Sequence, residues 1–136
     1  MANSKAEAAN AHALDAIGSR LAKDIVDCDP GIMSLIVMRK GGVVIAVRRS
    51  SRLQELEYID EETVKLFGVR ASVVLGAADT AGDLFGSSEA VIGTYKKGKV
   101  LLIRLKEYNL DLGLRLSRSA SGEYIYSKIQ GLLGIS

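Results

Sequence analysis

The chain has 136 residues, 48% of them hydrophobic and 25% charged, with a formal net charge of +2, one proline, no tryptophan and one cysteine. That length suits a single domain over residues 1–136, able to bury ~65–70% of its unfolded surface. The net charge is too small to argue for a nucleic-acid partner by itself, no apolar run approaches the ~20 residues that span a bilayer, and the lone Cys28 excludes an intrachain disulfide.

The N-terminus is alanine-rich but interrupted by Lys5, Glu7 and Asp15. It lacks the apolar core and charge order of a signal peptide, so a cytoplasmic location is expected, with residues 1–4 disordered. A first helix is predicted over about Lys5 to Val26, because Leu14, Ile17, Leu21 and Ile25 recur at three- and four-residue spacing. Asp29-Pro30-Gly31 stops it, since proline lacks the N–H and glycine permits positive φ. Two β-rich runs follow, Ile32 to Arg39 and Val43 to Arg48, joined by Lys40-Gly41-Gly42 as a hairpin. The run Val43-Val44-Ile45-Ala46-Val47 is apolar on both faces, as expected of a central strand covered on both sides.

After a polar stretch from Arg49 to Glu57, a long helix is predicted from Tyr58 to about Phe85. Asp60 is placed to cap it, with Glu61 and Glu62 in the first turn, where the helix dipole favours negative charge. Gly68, Ser72, Gly76 and Asp79 follow one face of this helix, with Ala71, Leu75, Ala78 and Gly82 beside it. Each helical glycine costs up to ~1 kcal/mol relative to alanine, and close approach of another backbone is the usual offset. Two readings remain open: the small residues let the helix lie tightly on its own sheet, or they form a seam between two subunits.

Three strands are then predicted: Glu89 to Tyr95, Val100 to Lys106 across the Lys96–Lys99 hairpin loop, and Leu110 to Arg118. In the last, Leu110, Leu112, Leu114 and Leu116 alternate with Asp111, Gly113, Arg115 and Ser117, the pattern of a half-buried antiparallel strand. A closing helix runs from about Ser121 to Leu133. The expected fold is therefore an α/β sandwich: a five-stranded antiparallel sheet in the order α-β-β-α-β-β-β-α.

Nothing in this pattern assembles catalytic chemistry. His12 is the single histidine and has no neighbours at the spacing of a triad or a metal site. Cys28 lies between Asp27 and Asp29, whose charges raise its pKa and make an inert thiol the expected reading. Gly98-Lys99 lacks the earlier glycine and following Ser or Thr of a phosphate loop. Glu55, Glu57, Asp60, Glu61 and Glu62 match no calcium-loop spacing. No cofactor, metal or enzymatic activity is expected. From Tyr95 to Arg118 seven basic residues stand against two acidic ones, and Arg39 to Arg52 adds five positives. Nucleic-acid binding would normally add stacking aromatics to such a patch, whereas a complementary protein surface or plain solubility needs none.

The element order, the hairpin VMRKGGVVIAV, the small-residue helix GVRASVVLGAADTAGDLFG, and the stretch YKKGKVLLIRL followed by NLDLGLRLSRS together resemble the roadblock (dynein light chain) family, in its prokaryotic form. The resemblance spans about Leu14 to Leu133, and profilin-like, longin and GAF-like domains share parts of the layout. It implies a homodimer, or a dimer with a paralogue, in which the central helices pack antiparallel and the third strands pair into one continuous sheet. The implied seam takes Gly68, Ala71, Ser72, Leu75, Gly76, Ala78, Asp79 and Gly82, with Val91 and Gly93 on the edge strand. It further implies a non-catalytic platform for a small Ras-like GTPase. A profilin- or GAF-like small-molecule sensor is the alternative, and it requires a cavity that the tight small-residue packing argues against.

Overall fold

A computed structural model describes residue 20, residues 22–50 and residues 60–134. Residue 20 and residues 22–27 form the described part of a helix, α1, which puts Ala22, Ile25 and Val26 into the core. Leu14, Ile17 and Leu21, the rest of the predicted stripe, lie outside the described residues, as do residues 1–4. After α1 the chain turns as Asp29 Oδ1 accepts a 2.7 Å hydrogen bond from the Gly31 N–H.

The strands are β1 (Ile32–Arg39), β2 (Val43–Arg49), β3 (Ala90–Tyr95), β4 (Gly98–Leu105) and β5 (Leu110–Leu116). All pair antiparallel in the order β2-β1-β5-β4-β3, with a register shift between Val37 and Met38 where β1 meets β2. Gly41 and Gly42 make the β1–β2 turn at φ +94° and +88°, backbone that side-chain-bearing residues avoid. The helices are α2 (Glu61–Ala78), the one-turn α3 (Gly82–Phe85) and α4 (Gly122–Leu133).

Strand alternation sends successive residues to opposite faces, which builds a three-layer molecule. On one face, Leu35, Val37, Leu101, Ile103, Leu112 and Leu114 pack against α1 and against Ile125 and Ile129 of α4. On the other, Met38 and Leu102 pack against Ala71 and Leu75 of α2. Ile103 is fully buried in the larger cluster, so Ile103→Val removes one methyl group from a close-packed site. Urea unfolding is expected to register a loss of about 0.5–1.5 kcal/mol.

The structure departs from expectation at three points. β2 is an edge strand, not a central one, and Val43 and Val47 are exposed on it. The central strand is β5, and it is buried on both faces, not half-buried. Its second face passes under α2, where Gly113 leaves room for the Phe67 ring: a Cβ at Gly113 would lie 2.6 Å from Phe67 Cε1. The long helix is also interrupted. α2 ends at Ala78, a 3₁₀ turn covers Asp79–Ala81, and α3 ends at Gly86 with φ +81°. Its cap is as predicted, with Asp60 Oδ1 accepting from the Thr63 N–H at 2.7 Å, and the helix begins at Glu61.

Candidate functional site

The residues expected to form a subunit seam divide between two faces of α2. Gly68, Ala71 and Leu75 point into the molecule. Gly68 meets the β1–β2 turn backbone to backbone, for a Cβ on it would sit 2.3 Å from the carbonyl oxygen of Gly42. Ala71 and Leu75 are 3% and 1% exposed, against Met38 and Leu102. These three are explained by packing on their own sheet. Ser72 and Ala78 are half-buried, while Gly76 is exposed and nothing approaches within 4 Å of where its Cβ would be. The surroundings of Gly82 are equally open.

Opposite the buried face, Leu66, Val69 and Val73 form an exposed apolar stripe, with Val73 67% exposed. Their three- and four-residue spacing puts them on one side of the helix, and Gly76 continues it. Reading the helix by its small residues missed this stripe, although the 66, 69, 73 spacing carries the signal for it. Beyond α2, Leu84 and Phe85 of α3 are each 82% exposed.

β3 lies at the sheet edge nearest the C-terminal half of α2. It pairs with β4 on one side, and among the described residues its other edge has no strand partner. Val91 leans under α2 into the cluster of Ala71 and Leu75, whereas Ile92 is exposed. Gly93 is half-buried, and a Cβ there would meet the Tyr95 ring at 3.1 Å. The apolar helix face and the open strand edge are separate features, for Val69 of the stripe lines a groove between α2 and β2. Each leaves groups that a second polypeptide could cover.

Charged groups pin the junction between them. Arg104 Nη2 donates to Asp79 Oδ2 at 2.6 Å, and Ser88 Oγ donates to Asp79 Oδ1 at 2.5 Å. Asp79, expected in the seam, thereby ties the end of α2 to β4 and to the segment leading into β3. Across the β4–β5 ladder Arg104 faces Asp111, which is buried. Burial pushes the Asp111 carboxyl above the usual carboxylate range. Arg104 and Lys40 pull it down less than burial raises it, and Asp79 adds to the rise. A carboxyl with a raised folded-state pKa holds its proton more tightly when folded. Its contribution to stability is therefore fullest at acid pH and falls as pH rises through the unfolded and then the folded value. Asp111→Asn is expected to raise the melting temperature at pH 7, with the gain shrinking as both proteins are taken to about pH 3, below the ordinary aspartate value. A gain independent of pH would contradict the assignment.

The basic residues are partly consumed inside the fold. Lys99 Nζ donates to the Ala120 carbonyl at 2.6 Å, and Arg118 donates to the Lys96 carbonyl. The Cys28 thiol is pushed up, first by burial and then by Asp29. Burial therefore outweighs the acidic neighbours to which the sequence reading ascribes the rise. Lys128 holds Asp29 at 2.9 Å, far from α2. Among the described residues no three His, Cys, Asp or Glu side chains come together as a metal site, and no helix is long and apolar enough to cross a membrane. His12, Glu55 and Glu57 lie outside the described residues.

An antiparallel sheet in the order β2-β1-β5-β4-β3, with α2 on one face and α1 and α4 on the other, is the roadblock fold in the form found in prokaryotic proteins. Three solved structures show the likeness. The roadblock/LC7 domain from Streptomyces avermitilis is 16% identical, with a TM-score of 0.66 over 84% of this chain and 89% of that one. The gliding protein MglB from Thermus thermophilus is 11% identical, with a TM-score of 0.65 over 85% and 84%. An MglB with a tetrameric arrangement is 10% identical, with a TM-score of 0.69 over 89% and 88%. At these identities the likeness is one of fold. No family model matches the sequence, and no curated protein matches it either.

Proposed function

We propose that this chain is a non-catalytic cytoplasmic platform that dimerises, with itself or with a paralogue, and binds a small Ras-like GTPase whose cycle it modulates. The observations that carry this reading are the exposed apolar stripe Leu66, Val69 and Val73 on α2 and the edge of β3, which has no strand partner among the described residues. In an antiparallel pairing of two copies the α2 helices come alongside each other about a two-fold axis, and the β3 edges join two sheets into one. Gly76 then lets the facing helix come close, which offsets its cost as a helical glycine. Gly68, Ala71 and Leu75 support the seam from beneath by fixing α2 on its sheet.

The GTPase part of the reading rests on the roadblock fold and on the likeness to MglB structures, one of them a gliding protein and another tetrameric. Since the chain would supply a surface and no reacting group, any effect on hydrolysis comes from orienting the GTPase's own residues. Titrating the protein against Ras-like GTPases of its own cell, loaded with GDP or a non-hydrolysable GTP analogue, tests it. Binding that depends on the nucleotide, or an altered hydrolysis rate, is expected. No binding and no rate change with any of them would overturn the GTPase reading and leave the dimer to be judged separately.

A further inference from the structure

The α3 turn presents Leu84 and Phe85 almost fully to solvent, 82% exposed each, with Gly82 before them and Gly86 after them both in open surroundings. A bulky apolar pair on a one-turn helix does nothing for its own fold at that exposure. At the opposite end of β3, the sheet face beside the N-terminal half of α2 carries a groove of about 280 Å³. Phe67, Tyr95, Val100 and Ile36 give it apolar lining, and Lys97 lines it too. The knob precedes β3 and the groove follows it, so within one chain the length of β3 separates them.

We infer that in the dimer Leu84 and Phe85 of each copy plug this groove on the other copy. The inference deepens the dimer reading above and rests on it. When two β3 strands pair antiparallel about a two-fold axis along their full length, Ala90 of one lies opposite Tyr95 of the other. The segment just before β3 then runs beside the partner's segment just after it. That places α3 of one copy along Tyr95, Lys96 and Lys97 of the other. It also lies on the correct side of the sheet, because α3 continues from α2 and the groove lies on the α2 face. Charge agrees with this occupant. Asp83 and Glu89 flank the knob, while Lys96 and Lys97 flank the groove and are exposed. The two-fold axis makes the contact twice, so each plug closes the groove that the other copy leaves open.

Disulfide trapping between two separately purified variants tests the inference, both in a Cys28→Ala background that removes the native thiol. One carries Phe85→Cys and the other Lys97→Cys; both positions are exposed, so both variants are expected to fold. A third, Val73→Cys, traps the helix seam itself. Mixing the first two under mild oxidation is expected to give a covalent dimer that neither gives alone, and Phe85→Ala is expected to raise the dimer dissociation constant at least ~10-fold. If Val73→Cys cross-links but the 85–97 pair does not, the plug is overturned and the dimer stands. A chain that remains monomeric and traps at neither place overturns both.

Discussion

Val73→Glu is expected to abolish the dimer while leaving a folded chain. Val73 is 67% exposed in the single copy, so a carboxylate there costs the isolated fold little. In the pairing proposed above the same side chain is expected to be covered by the facing α2. Burying an uncompensated charge costs about 3–5 kcal/mol, and an isologous contact carries the substitution twice. The dissociation constant should rise by at least ~1,000-fold, at ~1.4 kcal/mol per tenfold step. Sedimentation at micromolar concentration reads this directly, with circular dichroism as the check on folding. Gly76→Leu should act in the same direction by keeping the facing backbone away, since its own chain offers open space for the new side chain. A dimer indifferent to both changes would move the interface elsewhere.

Gly68→Val is expected to have the opposite signature: a destabilised chain whatever its state of association. A Cβ on Gly68 would lie 2.3 Å from the Gly42 carbonyl oxygen, and the obstructing atom belongs to the backbone of a tight turn. The turn cannot yield easily, because Gly42 would itself bring a Cβ to 2.3 Å from the Gly68 oxygen and already holds φ +88°. Helix propensity favours replacing glycine by up to ~1 kcal/mol. Overpacking against a fixed neighbour costs ~1–3 kcal/mol and at times more, and valine adds two methyl groups beyond the clashing Cβ. The clash wins, and a net loss of about 3 kcal/mol is expected from urea titration. Against a typical stability of ~5–15 kcal/mol that is a large fraction. An unchanged midpoint would show that α2 does not rest on the hairpin in the way described.

The contrast between Gly68 and Gly76 marks where the sequence can be read and where it cannot. Both are small residues in one helix, and the resemblance assigns both to one seam. Eight residues advance a helix by about 80° beyond two full turns, enough to turn one glycine to the sheet and leave the other facing solvent. Composition alone does not separate them; the buried 68, 71, 75 spacing and the exposed 66, 69, 73 spacing do. The order of elements, the Gly–Gly hairpin and the Asp60 cap follow from local chemistry and are legible. Strand order is not. Val43 to Val47 looks like a covered centre and lies at an edge, while Asp111, Gly113 and Arg115 look like a wet face and lie under α2. Alternation reports that two faces differ, and a face built of glycine, arginine and aspartate can still be buried when Phe67 fills the gap and Arg104 stands across from the carboxylate. The break after Ala78 is equally hidden, because Asp79, Thr80 and Ala81 continue helically in a tighter turn.

The knob at Leu84 and Phe85 stays unread for a related reason. As the tail of a long helix these residues look like two more apolar positions. Only the interruption at Asp79–Ala81 and the turn at Gly86 set them apart from the core and leave them exposed. Their exposure in one copy, beside the open strand edge, makes the single chain look incomplete as an assembly.

Light scattering during size exclusion reads directly whether two copies assemble. A mass of about twice the 14.5 kDa of one chain is expected at micromolar concentration, falling to that of one chain for Val73→Glu. A wild-type mass of one chain across the accessible concentrations would contradict it, since the α2 stripe, the β3 edge and the open Gly76 would then have no second copy to meet.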